Sequence, residues 1–205
     1  MSWYMAARCW VVSIAAAAMI VVAAAVFGSA TLELPDLFSG VVIALPVSVL
    51  LPAVPAAMVL WNMGRGEPAH EAAAVRRPAE FDLAAVAALL LAQVVTAALL
   101  APWFSFADSL AVVRNTAGYV ALTLVLSRLI GPVVANVVMV MFPIICVRFG
   151  TIYAAGAPAS AWWAWPLDTH SSLVALTQVL TLCVAAAAIT RAAWLPRRRG
   201  VPAGT

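Results

Sequence analysis

Lysine is absent from this chain, and charge of either sign is scarce. Eleven arginines and eight carboxylates make up 9% of its 205 residues. A soluble domain carries roughly 25% charged residues. Here 66% of the residues are hydrophobic and the mean hydropathy is +1.07. So few charges cannot screen that much apolar surface from water, so the expected solvent is lipid. The net charge of +3 comes from arginines scattered between apolar runs, a pattern of membrane topology. The basic patch interleaved with aromatics that nucleic-acid binding needs is missing.

Other absences narrow the chemistry. Cys9, Cys146 and Cys183 are odd in number and far apart, and no C-x-x-C occurs. They read as small buried hydrophobes ahead of disulfide or metal partners. No Walker A loop, H-E-x-x-H or G-x-S-x-G motif is present. No catalytic centre, metal or cofactor is therefore expected. Asp168, His170 and Ser171 or Ser172 are adjacent loop residues, too common a set to make a catalytic dyad. His70 reads as a solvated surface residue. The apolar runs contain no carboxylate, and proton or sodium coupling usually relies on one within the membrane.

What is present is a series of apolar runs arranged around residues 108–132. There Arg114 and Arg128 fence a stretch without other charge, and Gly131-Pro132 turns the chain. At helical rise the two arginines lie ~21 Å apart, less than the ~30 Å hydrocarbon slab. Each can extend its guanidinium to one surface. The expected architecture is an all-α, polytopic membrane protein forming a single transmembrane domain over residues 1–205. Six spans are expected, at about 9–27, 40–61, 83–100, 115–127, 133–147 and 171–193. The first imitates a signal peptide, with Arg8 before it and Gly28-Ser29-Ala30 after it. It is long enough to span and reads as uncleaved.

The second span contains Pro46, Pro52 and Pro55, which predict a bent or broken helix. Such a helix either lines a pathway or simply packs bent. Residues 62–82 form the longest polar connection, with a short helix expected over 69–77. Residues 149–170 carry Trp162, Trp163, Trp165 and Asp168 among glycines and prolines. They read either as a re-entrant segment or as an outer loop lying on lipid. With both termini in the cytoplasm, nine arginines fall inside (Arg8, Arg65, Arg76, Arg77, Arg128, Arg191, Arg197, Arg198, Arg199). Only Arg114 and Arg148 fall outside, a strong positive-inside bias. Asp108 is the nearest acid to Arg114 in sequence. The expectation is an outer-surface ion pair between them, or else a substrate contact by Arg114 and Arg148. Pairing across six positions requires a break in the helix.

Three short patterns carry a resemblance: Arg114-Asn115-x-x-Gly118, Arg128-x-x-Gly131, and Trp163-Ala164-Trp165-Pro166-Leu167. With the helix count and the placing of loops, they are similar to actinobacterial membrane proteins described as permeases of type-2 ABC exporters. The resemblance implies six helices per half-transporter and a separate ATP-binding subunit. It also implies pairing with a second permease as a homodimer or heterodimer. The connection after the second helix, with Arg65, Glu71, Arg76 and Arg77, would contact the ATPase. The segment between the fifth and sixth helices would dip into the outer leaflet of the cell's inner membrane. Only about eight residues precede the first span, fewer than the amphipathic connecting helix of that class needs. The other reading is a structural or accessory membrane subunit.

Overall fold

Long apolar runs with scattered small residues fold here into helices that are hydrophobic on every side. Such helices suit a deep core or a membrane. The computed structural model describes residues 8–28, 30–35, 42–65, 78–154, 157–168 and 172–193. The first helix, α1, spans Trp10–Phe27. The helices that follow are α2 (Val47–Leu50), α3 (Ala53–Gly64), α4 (Pro78–Leu100), α5 (Phe106–Ile130), α6 (Pro132–Phe149) and α7 (Leu173–Ala193). Taken with α2 and α3 as one broken helix, six helices are long and apolar enough to cross a membrane.

The chain is mostly helical, but the all-α expectation needs a correction. Two antiparallel hairpins interrupt it. Strand β1 (Thr31–Pro35) pairs with β2 (Val42–Pro46), with Glu33 opposite Ala44. Strand β3 (Thr151–Ala154) pairs with β4 (Ala157–Ser160), with Thr151 opposite Ser160. Helix therefore does not begin at residue 40. Pro46 closes strand β2 with extended backbone (φ −61°, ψ 130°), and only then does α2 start. Pro52 stands at the join between α2 and α3. Pro55 sits in the first turn of α3, where its missing N–H takes no intrahelical bond away. The expected broken helix is therefore Val47–Gly64, interrupted at Pro52, with Pro46 before its start and Pro55 in the first turn after the break.

Helix α5 is the axle of the bundle. Two thirds of its apolar window is buried, against 22–44% for the other five. It begins at Phe106, well before residue 115, because Ser105 caps it by accepting from the Asp108 N–H at 3.3 Å. It ends at Gly131, whose φ of +88° would strain any other residue, and α6 starts at once with Pro132. The core around α5 is built from Trp10, Val59, Leu89, Tyr119, Leu124, Met139 and Trp165. Alanines at 17, 53, 56, 85, 121, 175 and 186 let the helices approach closely. Outward, large apolar side chains such as Val12, Met19, Leu91, Leu99, Val133, Leu173 and Val184 are more than half exposed.

Candidate functional site: two arginine clamps and a flanking groove

Each end of the bundle is closed by a buried arginine. Where α5 begins, Arg114 is only 8% exposed. Its Nη2 donates to the Asp168 carbonyl at 3.0 Å and to the Trp165 carbonyl at 3.2 Å. Nε and Nη2 both donate to Asn115 Oδ1, at 3.3 and 3.2 Å. Asn115 Nδ2 in turn donates to the Pro166 carbonyl at 3.2 Å. Successive residues of α5 thus grip a turn of 3₁₀ helix at Trp165–Leu167 by its backbone. That turn lowers Trp165 into the core, 4.8 Å from the Phe142 ring and 6.2 Å from Tyr119 between centroids. Gly118 makes the fit possible. A Cβ there would stand 2.8 Å from Trp165 Nε1 and 3.0 Å from Val179 Cγ2.

The expected Asp108–Arg114 pair is corrected by this geometry. Helix α5 runs unbroken through both positions, which puts the two side chains on widely separated bearings. The carboxylate acting on Arg114 electrostatically is that of Asp168. Asp108 is exposed in the first turn of α5, where a negative charge suits the helix N-terminus. The Asp168 side chain accepts from Ser160 Oγ and from Ser172 Oγ, the latter at 2.8 Å, tying hairpin β3–β4 to the start of α7. Arg148 is exposed, with its guanidinium over the Phe149 ring at 5.2 Å. Of the tryptophans, Trp162 is 78% exposed, Trp163 half-buried and Trp165 buried.

The opposite end holds the group that sequence reasoning missed. Arg8 Nη1 lies 2.7 Å from Asp82 Oδ2, and both side chains are under 5% exposed. The same nitrogen reaches the Met63 carbonyl at 3.5 Å. One turn inward, Asn62 Nδ2 donates to Ser13 Oγ at 2.7 Å. Helices α1, α3 and α4 are therefore fastened together where α3 ends and α4 begins. Between the two ends, Gln93 Nε2 donates to the Ala17 carbonyl at 3.2 Å and to Thr116 Oγ1 at 3.4 Å, linking α4 to α1 and α5.

Arg65 closes α3 and is exposed, its guanidinium 5.9 Å from the centre of the Trp61 ring. Beside it a groove of about 500 Å³ runs between α3 and α6, lined by Leu60, Trp61, Gly64, Pro132, Asn136 and Val137. Glu71, Arg76, Arg77, His70 and His170 lie outside the described residues. Among the described residues no group of three or more His, Cys, Asp or Glu could hold a metal ion. Comparison with protein-family models, curated proteins and solved structures returns no match.

Proposed function

We propose that this chain is the membrane-spanning permease subunit of an ABC-type exporter in the cell's inner membrane, driven by a separate ATP-binding subunit and paired with a second permease. The six apolar helices and their exposed apolar flanks support insertion in lipid, since a water-facing surface of this kind would aggregate. The distribution of arginines supports termini in the cytoplasm. Among the described residues, Arg8, Arg65, Arg128 and Arg191 lie at one end of the bundle, and Arg114 and Arg148 at the other. With the three native cysteines replaced, a cysteine at exposed Leu32 reacts with an impermeant label from outside. One at exposed Arg128 reacts only after permeabilisation, and the reverse pattern inverts the topology.

The observation that carries the permease reading is the Arg8 clamp. Arg8 holds Met63 and Asp82, which flank the connection at 66–77. A connection that receives a push from a nucleotide-driven partner needs fixed feet, and the residues on either side of 66–77 are held by Arg8 next to α1. Glu71, Arg76 and Arg77 supply the charges for a rim-type electrostatic contact with the partner. Co-expression with a candidate ATP-binding subunit, sought among the genes neighbouring this one, tests the reading. Reversing Arg76 and Arg77 together to glutamate weakens co-purification and ATPase stimulation. Undiminished co-purification with unchanged stimulation places docking elsewhere. A second reading, an accessory subunit without its own pathway, is favoured by Arg114 being taken up in protein bonds. It stands if no ATPase associates and no ATP-dependent transport is reconstituted.

A further inference from the structure

We propose that the groove between α3 and α6 is a binding site for an anionic phospholipid, with its phosphate between Arg65 and the N-terminus of α6. Three observations converge there. The groove holds about 500 Å³, within the range of ligand-sized cavities, and its wall is almost wholly apolar: Leu60, Trp61, Val133 and Val137. An acyl chain lies in such a trough without exposing hydrocarbon to water.

Charge complementarity selects the headgroup. Arg65 stands at the groove's mouth, braced over Trp61, and among the described residues no carboxylate pairs with it. The α6 helix begins in the same wall at Pro132 with no side-chain cap. Pro132 has no N–H and the Ala135 N–H goes to the Gly131 carbonyl, so the Val133 and Val134 N–H groups are the two first-turn donors left at the positive end of the helix dipole. A guanidinium and a helix N-terminus make a complementary pair for a phosphodiester. Arginine and tryptophan at one level also mark a headgroup boundary. One turn deeper, the partly buried Asn136 adds a polar side chain to the groove wall. Basic pockets between helices on the cytoplasmic side hold anionic headgroups in this way.

The floor of the site is open. Gly64 lines the groove and a Cβ added there meets nothing within 4 Å, so a larger side chain fits at the groove's edge without a clash. Leucine is also a better helix former than glycine.

This inference needs the helices to lie in lipid but not an ATPase, so it is tested on the purified subunit alone. Native mass spectrometry in detergent compares phosphatidylglycerol, phosphatidylcholine and soluble glycerol phosphate. Phosphatidylglycerol should be retained preferentially, and glycerol phosphate, which lacks acyl chains, should not. Arg65→Gln should weaken phosphatidylglycerol retention about fivefold, the effect of one arginine at a charged surface. Gly64→Leu should block it while leaving thermal unfolding unchanged. Arg128→Gln, at the same end but off the groove, should have no effect. Equal retention of both phospholipids overturns the proposal, as does retention indifferent to Arg65→Gln and Gly64→Leu. Equal losses in Arg65→Gln and Arg128→Gln also overturn it, by showing diffuse attraction in place of a site. Tight binding of glycerol phosphate would make the site one for a free phosphate ester.

Discussion

The two ends of the bundle solve one problem in two ways. Each buries an arginine to within a few per cent of complete cover, Arg8 at 4% and Arg114 at 8%. At the first end the counter-group is a carboxylate, Asp82, from another helix. At the second, the partners include main-chain carbonyls of residues 165 and 168 and the side chain of Asn115, with the Asp168 carboxylate acting from nearby. A carboxylate partner neutralises charge and is itself stranded when its arginine is lost. Carbonyls accept from the guanidinium without a net charge to strand, and the nearby Asp168 carboxylate keeps its hydrogen bonds from Ser160 and Ser172 when the arginine is lost. The first clamp should therefore be the more brittle, and the second should act mainly to hold a turn in place.

The largest expected effect is at the ion pair. Asp82→Ala leaves Arg8 buried without its carboxylate and should cost about 3–5 kcal/mol, as for other broken buried pairs. The measurement is denaturant or thermal unfolding in detergent. Replacing both partners by apolar residues, Arg8→Met with Asp82→Leu, should recover most of the loss. A double variant as unstable as Asp82→Ala would mean that the pair does more than neutralise itself.

Arg114→Ala comes next. It removes charged hydrogen bonds worth about 1.5–3 kcal/mol each in favourable cases, but the freed carbonyls lie near the end of the bundle and can take water. A loss of about 2–3 kcal/mol is expected, with faster hydrogen exchange concentrated in residues 161–168. Arg114→Lys keeps the charge but not the planar fork that reaches two carbonyls and an amide together, so it should show the same local exchange. Protection unchanged in both variants would separate the arginine from the turn.

Gly118→Ala tests the same clamp from the packing side. Its methyl group would sit 2.8 Å from Trp165 Nε1, so either the indole or α7 must move. One methyl group in so close a space should cost about 1–2 kcal/mol, the lower part of the range for overpacked cores. Trp165→Phe, with its smaller ring, should restore part of that loss when combined with it. If it restores nothing, the crowding comes from Val179.

The sequence made some of this legible. Apolar runs of sufficient length identified the six helices long and apolar enough to cross a membrane, because hydropathy and length alone decide such segments. The same criterion could not place the start of α5, since Asp108, Ser109 and Arg114 look like surface residues while Val112, Val113 and Arg114 are buried. It could not divide 40–61 into strand and helix either, because a short apolar run has no telling period. Pro46 was the available signal, as a residue that suits a strand's end better than a helix interior. The clamps were illegible for different reasons. Arg8 and Asp82 are 74 residues apart, with nothing in either neighbourhood to name the other. Arg114 bonds to backbone carbonyls, which every residue carries. Nor does the spacing of Trp162, Trp163 and Trp165 show that only the last enters the core. That depends on the turn which Arg114 and Asn115 hold.

The smallest expected effect is the most direct test of the carbonyl clamp. Had Asp108 been the partner of Arg114, removing either would strand the other, and the double variant would recover part of the loss. On the continuous helix α5 their six-residue separation amounts to roughly 600° of rotation, or 240° net, so they face different surroundings. Asp108→Ala should cost only about 0.3–1 kcal/mol, through loss of a negative charge from the first turn. Combined with Arg114→Ala, the two losses should add to within about 0.5 kcal/mol, as for sites with no shared partner. Asp168→Asn should behave differently. It keeps the backbone carbonyl that Arg114 uses but removes the nearby charge, so its effect should depend on whether Arg114 is present. Coupling between positions 108 and 114 well above 0.5 kcal/mol would restore the ion pair. Coupling confined to positions 168 and 114 would make the Asp168 carboxylate part of the clamp, and additivity there too would leave a guanidinium held by the turn's carbonyls alone.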